Sequence, residues 1–482
     1  MFRLSLILLT FYEVHSITTG LQVGLTEQIV NDFKNSSLPY VLNKLTTVAL
    51  FKSKQFAVAD GVLKVTINIT EPRVTYVNAD TKLTGVDFIG QDQFLLTISS
   101  LDMYIKFYWK YSSMLGKDSG TGFITIQKSS LNSTISLSEN NGALFFNITK
   151  LNFTISNFQL RFSGGESARV MNQLAVLFQD NLNKEIKIAV ESLINGQVIN
   201  SINSQLASGG SIVSLNKAIE FSYNLTSNPV MTSSVLILNL AGVFMAKSKP
   251  EINPPVVGRT TNLTFDPTSS QVQSVFSEYS FNTLTYAMYA SGYFETTIDS
   301  SNLPANYSYL LTTNSLNSLL PGISNVYGNN EPCKIMCGAT QAPTSVINGV
   351  TPSMPNGFVD SNLQSYCKVI VISAEQTAIT LNATMIMSSA VYVNNWMLGG
   401  TIEYAKISSL AQTQSNIGNQ TDLTGMMNFI NLIINATLPV IEENMVGNGI
   451  PLPSFEHIQM TNSNAVAEDG YYMILSTPVF NF

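Results

Sequence analysis

The sequence predicts an α+β protein built of two matched halves, and two observations carry that prediction. An apolar, strand-like run from Val235 to Met245 meets a proline cluster, Lys247-Ser-Lys-Pro-Glu-Ile-Asn-Pro-Pro255, near the middle of the 482-residue chain. Proline neither donates to a sheet ladder nor continues a helix, and none occurs from Arg73 to Asn228, so the cluster reads as an extended linker. Each side of the linker then shows the same order of patterns: a helix-like opening, alternating runs, a long amphipathic helix, and strands again. The divisions that follow are residues 1–16 as a signal segment, 17–246 as the first unit, 247–267 as the linker and 268–482 as the second unit.

The first unit opens with Leu25, Ile29 and Phe33 at helical spacing, and Pro39 is expected to end that helix. From Phe56 to Phe162 the chain alternates. Val62 to Ile69, Phe94 to Ile98, Tyr104 to Trp109, Phe123 to Ile126, Ser133 to Leu137, Ala143 to Ile148 and Leu151 to Ile155 read as separate strands. They are rich in β-branched and aromatic residues and divided by Gly, Asn and Ser, as a meander requires. The period then changes. Val170, Leu174, Leu177, Phe178, Leu182, Ile186, Val190, Leu193, Val198 and Ile202 define one face of a very long helix, with Ser163 and Glu166 as a capping box and Gly196 as a weak point.

In the second unit, Val272, Val275, Phe276, Tyr279, Leu284, Tyr286 and Met288 suggest an opening helix. Strand-like segments follow at Tyr309 to Thr312, Val369 to Ile372, Ala378 to Met387 and Gly400 to Tyr404. Leu423, Met426, Met427, Ile430, Ile433, Ile434, Leu438, Ile441 and Met445 form the second long amphipathic helix.

Composition narrows the function. Charged residues are 11 % and hydrophobic residues 45 % of the chain, the opposite of a disordered protein. Residues 17–246 carry 17 Lys and Arg against 15 Asp and Glu, whereas residues from 247 onward carry 6 against 15. Nucleic acid is not expected as a partner, and a negatively charged surface, if one is met, would meet the first half. Arg3, the apolar Leu4 to Phe11 and Val14-His15-Ser16 have the form of a secretory signal, and no later run is long and apolar enough to read as a membrane span. A secreted or lumenal protein is expected. Sequons such as Asn68-Ile-Thr70, Asn147-Ile-Thr149, Asn224-Leu-Thr226, Asn262-Leu-Thr264 and Asn382-Ala-Thr384 are compatible with that route.

Cysteine is confined to Cys333, Cys337 and Cys367. In an oxidising compartment two are expected to pair, Cys367 with Cys333 or Cys337, and Cys337 is preferred because it borders the Pro/Gly/Asn-rich stretch from Gly338 to Ser365. With His457 the one histidine beyond the signal, a zinc site is not expected. Catalytic patterns are also thin. Asp118-Ser-Gly-Thr121 imitates an aspartic-protease loop without a second carboxylate, and reads better as a hairpin turn. Gly164-Gly165-Glu-Ser167 lacks the glycine a nucleophile elbow needs. No phosphate loop is visible, and an enzyme is not expected.

Several stretches combine into one pattern. Leu438-Pro439-Val-Ile-Glu-Glu-Asn-Met-Val-Gly447-Asn-Gly-Ile-Pro451-Leu-Pro453 is a helix running into a G-x-P-L-P turn, followed by strands around Ile458 to Met460 and Gly470 to Leu475. With Ala241-Gly-Val-Phe before the linker, Ile105-Lys-Phe-Tyr-Trp109-Lys110 and Leu319-Leu-Pro321, this order resembles the family of bactericidal/permeability-increasing protein, lipopolysaccharide-binding protein and the phospholipid and cholesteryl ester transfer proteins. The resemblance covers essentially the whole chain after the signal. It implies a boomerang of two pseudo-symmetric barrels, each a twisted antiparallel sheet wrapped on a long helix, joined by a central sheet. It further implies an apolar pocket in each barrel for the acyl chains of a phospholipid-like lipid, with no other cofactor, in a monomer.

Low charge content and two long amphipathic helices facing curved sheets agree with such pockets, each bounded by an opening helix and a long helix. The expected lining is Leu25, Ile29, Phe33, Leu174, Phe178 and Leu182 in the first barrel, and Phe276, Met427, Ile430 and Ile434 in the second. Lys106, Trp109, Lys110 and Lys117 are the expected contacts to a membrane surface or bacterial lipopolysaccharide, with Trp109 either at the interface or packed in the sheet. The chain departs from the family in two ways. Its first half has no cysteine for the usual disulfide, and the lysine-rich tip associated with lipopolysaccharide binding is thin, with Lys106, Lys110 and Lys117 and, before them, Lys52 and Lys54, which favours lipid binding or transfer over lipopolysaccharide recognition.

Overall fold

The computed structural model describes residues 19–59, 65–90, 92–113, 116–208, 211–250, 264–301, 303, 308–351, 357–394, 396–418, 421–445, 449–452 and 458–481. The signal segment, most of the linker, Pro453 and His457 lie outside them.

The two halves meet edge to edge in one six-stranded sheet. Its spatial order is Val230–Met231, Val235–Leu240, Leu21–Thr26, Val272–Ser277, Tyr471–Phe480 and Ile458–Glu468, three strands from each half. The middle pair is antiparallel, with Leu21 opposite Phe276 and Gly24 opposite Gln273. A pseudo-twofold therefore passes between them. Phe265 packs flat over Gly24, where even a Cβ would lie 2.4 Å from its ring. This arrangement corrects two expectations. Leu25 and Phe276 belong to strands of this central sheet and not to the opening helices, which start just after, at Glu27 and Glu278. Thr26 marks the change, its Oγ1 accepting from the Ile29 N–H.

Beyond the central sheet, each half curls a seven-stranded antiparallel sheet around its long helix. In the first half the strands are longer than the sequence pattern suggested. Gln93–Ser113 and Gly116–Asn140 each merge two expected strands. The Ser-rich stretches read as turns are irregularities within continuous pairing: the register shifts between Ile98, Leu101 and Met103, and Lys128 adopts φ 53°. The first long helix runs from Ala168 to Ser208 with a 3₁₀ turn at Ala175–Leu177 and a π turn at Ile194–Val198, around Gly196. Its second counterpart spans Leu423–Met445.

Pro39 does not end the first opening helix, which continues to Lys44 and buries Leu38 and Leu42 on the turns around it. The capping box also fails to form. Ser163 ends a strand, and the Asp118 carboxylate reaches across to accept from the Ser167 N–H at 2.7 Å. That bond and a second from the Ser119 N–H hold the Asp118 carboxyl below its ordinary pKa.

Polar side chains on the helices fasten the sheet edges, and the two halves do this alike. In the first, Glu27 accepts from Phe88 N, Asn31 bonds both N and O of Val86, and Lys34 donates to Thr84 O. In the second, Glu278 accepts from Ile347 N, Asn282 from Ser345 N, and Thr285 donates to Pro343 O. The strands held are Thr84–Gly90 and Thr344–Asn348, each paired, among the described residues, with one other strand. The long helices repeat the device. Asn172, Asn203 and Asn431 each bond the N and O of one strand residue, Phe162, Phe146 and Ile407 respectively. Glu191 accepts from Phe153 N. Unpaired edge groups thereby find partners that a flat sheet would leave to water or to another chain.

In the second half Cys337 and Cys367 are directly opposed on neighbouring strands and form a disulfide, Cα–Cα 4.1 Å, while Cys333 is free and buried. The stretch between the paired cysteines contributes a strand, Thr344–Asn348, to the sheet.

Candidate functional site

A cleft of about 210 Å³ lies between the opening helix and the long helix of the first half. Val41, Leu45 and Val48 form its wall on one side, and Leu193, Val198 and Ile202 on the other. Tyr40, Lys44, Gln197, Ser201 and Gln205 add polar groups, with the Lys44 ammonium 4.8 Å from the centre of the Tyr40 ring. The residues of the long helix repeat at intervals of four: Gln197, Ser201 and Gln205 make a polar stripe, and Val198 and Ile202 an apolar one beside it. The π turn at Ile194–Val198 runs along this cleft.

The residues expected from sequence lie elsewhere. Phe178 and Leu182 are fully buried in the core of the first half, where the Phe178 ring stands 5.9 Å from both Phe56 and Phe162. Leu174 packs against the same core. Leu25 joins a smaller cluster with Leu236 and Val86, and Ile29 is buried at the start of the opening helix. Phe33 is 39 % exposed and meets Phe480 edge to face. In the second half, Met427, Ile430 and Ile434 pack on the sheet core with Leu381 and Ile407. Phe276 is buried in the central sheet, opposite Tyr472. The first cleft is thus bounded by the two expected helices but lined by other turns of them.

Leu193, Val198 and Ile202 lie on the long-helix face expected from sequence, whereas the wall from Val41 to Val48 is not expected because Pro39 hides the end of the opening helix. The visible clue is the spacing of Leu38, Leu42 and Leu45, which carries the apolar face past the proline.

Trp109 is packed in the sheet. It is fully buried, its ring edge-on to Phe162, and its Nε1 donates to Thr121 O at 2.9 Å. An indole on the inward face of an alternating strand cannot reach a membrane. Its neighbours on the outward face do reach the surface: Tyr104, Lys106, Tyr108 and Lys110 are all exposed. Across four adjacent strands Arg73, Lys106, Phe123 and Arg161 stand in one register row. Tyr76, Tyr104, Tyr108 and Phe123 are 39–52 % exposed on this face. Lys117 is exposed at the start of its strand, opposite Ser112. Among the described residues no helix is long and apolar enough to cross a membrane.

Two curled sheets, each closed on a long helix and joined through a shared central sheet, define the boomerang fold of the lipid-binding barrel proteins. The model of the LBP / BPI / CETP family's C-terminal domain matches residues 213–477, more than half of the chain, and the protein belongs to that family. It is similar to the lipopolysaccharide-binding protein of Homo sapiens, at 20 % identity over 380 residues, covering 76 % of this chain and 74 % of that protein. The bactericidal permeability-increasing protein of Rattus norvegicus is 23 % identical over 402 residues, 81 % of this chain and 79 % of its own. The crystal structure of lipopolysaccharide binding protein superposes with a TM-score of 0.60 at 15 % identity, covering 96 % of this chain and 99 % of that one, and so shares the fold.

Proposed function

We propose that this chain is a secreted lipid-binding protein that takes an acyl chain into the cleft between the opening and long helices of its first half. Members of the family act by binding lipid and not by catalysis, and this protein is not an enzyme. The observation that carries the reading is the cleft itself. Six aliphatic side chains face one another across it, and polar groups suited to a head group stand beside them. Each methylene buried there would contribute about 0.8 kcal/mol. At about 210 Å³ the cleft is smaller than the roughly 300–1,000 Å³ usual for ligand sites, so it suits part of one chain. A two-tailed lipid requires the helices to part, and the π turn at Ile194–Val198 lies in the wall that would move.

Filling the cleft tests this. A Val41→Trp, Ile202→Trp variant should fold, judged by circular dichroism, yet lose the lipid that native mass spectrometry finds on the parent protein. Phe178→Ala should weaken the fold and keep the lipid. Unchanged lipid in the filled variant refutes the assignment.

A second reading, contact with an anionic lipid surface such as bacterial lipopolysaccharide, is favoured by the row Arg73, Lys106, Phe123 and Arg161 with its exposed tyrosines. Binding through this face should weaken steeply with salt, whereas loading of the cleft should not. Vesicle binding that ignores both salt and Lys106→Glu removes this second reading and leaves the first.

A further inference from the structure

We infer that the outer face of the ribbon formed by Gly116–Asn140 and Ala143–Thr154 carries N-linked glycans, at Asn147 and at the opposed pair Asn132 and Asn152. Each begins an acceptor triplet: Asn132-Ser-Thr134, Asn147-Ile-Thr149 and Asn152-Phe-Thr154. The triplet alone is permissive. What supports these three is their placement together on one outward face, because a glycan attached to the nascent chain survives folding only where its asparagine points to water, as it does also at Asn35 and Asn382.

Asn132 is exposed between the buried Leu131 and Ser133, on the outward alternation of its strand. Asn152 stands directly opposite it, and Asn147 opposite Ser136 a few residues along. Both are exposed. The Asn152 Nδ2 reaches only to Thr154 Oγ1 of its own triplet, at 3.4 Å, while its Oδ1 accepts from Lys187. The inward groups of the same strand are held by the long helix, Phe146 by Asn203 and Phe153 by Glu191. A glycan on the outer face would disturb none of these bonds.

Asn224-Leu-Thr226 provides the contrast within one chain. The Asn224 Oδ1 is buried, and its side chain packs so closely on Gly142 that a Cβ there would lie 2.9 Å from Asn224 Cγ. That triplet is half-buried with its side chain packed on Gly142, and it should be empty.

The donor is an oligosaccharide linked to a lipid diphosphate. A bond forms from the asparagine Nδ2 to the anomeric carbon and the bond from that carbon to the diphosphate oxygen breaks. The diphosphate leaves on its lipid, and the nitrogen gives up one proton. Glycans so placed would cover this ribbon and leave the row Arg73, Lys106, Phe123 and Arg161, further along the same sheet, free for contact.

The inference rests on the secretory route included in the proposed function. The test is peptide mapping of the full chain secreted from a eukaryotic host, after enzymatic deglycosylation in heavy-oxygen water. We expect label at Asn147 and at Asn132 or Asn152, and none at Asn224. Asn147→Gln and Thr149→Ala should each remove one glycan mass and leave the bound lipid unchanged. A secreted protein without label on the ribbon, or with label at Asn224, overturns the inference and leaves lipid binding intact. A chain kept in the cytosol with its N-terminus uncleaved overturns the secretory route as well.

Discussion

Replacing Asn282 by alanine should destabilise the second half more than replacing Asn31 destabilises the first, although Asn31 makes more hydrogen bonds. Asn31 bonds Val86 N at 2.9 Å, Val86 O at 2.8 Å and Glu27 O at 3.1 Å. It is only half-buried, so water can take over what alanine abandons. Asn282 makes one such bond, from Ser345 N at 2.7 Å, and its Nδ2 has no partner. Asn282 and Ser345 are each 3 % exposed, so removing the amide strands a backbone N–H where water does not reach. A stranded buried donor costs about 1–3 kcal/mol, against about 1 kcal/mol for a replaceable bond. With a urea dependence of about 3 kcal/mol per molar for a domain of this size, the Asn282→Ala midpoint should fall by roughly 0.3–1 M. Trp109 lies in the first half and Trp396 in the second. Each, retained alone with phenylalanine at the other position, reports which half unfolds. A larger shift for Asn31→Ala, or equal shifts for Asn282→Ala and the exposed Asn382→Ala, would refute burial as the deciding factor.

Three further outcomes follow from the same structure. Cys337→Ala with Cys367→Ala opens a link between residues 30 apart and should cost the second half about 3–4 kcal/mol in the chain-entropy model, read from the Trp396 transition. Burial, aided by the nearby Glu331 carboxylate, pushes the Cys333 thiol up to about 11. Its contribution to stability is therefore complete below the ordinary thiol range and lost as pH rises through about 11, and native protein at pH 8 should resist alkylation that unfolded, unreduced protein accepts at one site. Asp118 is depressed by the Ser167 and Ser119 N–H groups, so the start of the long helix should loosen only as pH falls below the usual carboxylate range, and Asp118→Ala should loosen it at neutral pH, visible as faster amide exchange at Ser167.

Much of the fold was legible because its periods are long. Helix faces such as Leu182, Ile186, Val190 and Leu193 persist over several turns, and the second long helix keeps Met426, Ile430 and Ile433 in line. Short runs were ambiguous. Leu25, Ile29 and Phe33 fit a helix by spacing, yet Leu21 to Thr26 pairs as a strand, and only the cap at Thr26 separates the two. Pro39 misled for a different reason. A proline within a helix removes one hydrogen bond, and here the buried Leu38, Leu42 and Leu45 outweigh that loss. Trp109 was undecided because alternation gives the face of a strand only once its register is known. The edge bonds do have a sequence signature: Thr26-Glu27 with Asn31 and Ser277-Glu278 with Asn282 are one pattern written twice.

That repeated pattern explains how a chain with 11 % charged residues keeps a cleft between two helices without losing its shape. A sheet curled around apolar helices alone would close on them as tightly as side chains allow. Here the helices are located by directional bonds to the strand edges. In the first half those bonds come from Glu27, Asn31 and Lys34 before the cleft and from Glu191 and Asn203 on either side of the π turn. The cleft walls from Val41 to Val48 and from Leu193 to Ile202 then meet through aliphatic contacts between pinned points. On the proposed function, parting those walls would cost contact that an acyl chain would restore in kind, methylene for methylene, while the edge bonds stay made. Position is set by the polar bonds and capacity by the apolar gap. Substitutions at Asn203 or Glu191 should therefore change how stably the barrel holds together, and substitutions at Val41 or Ile202 how much it holds.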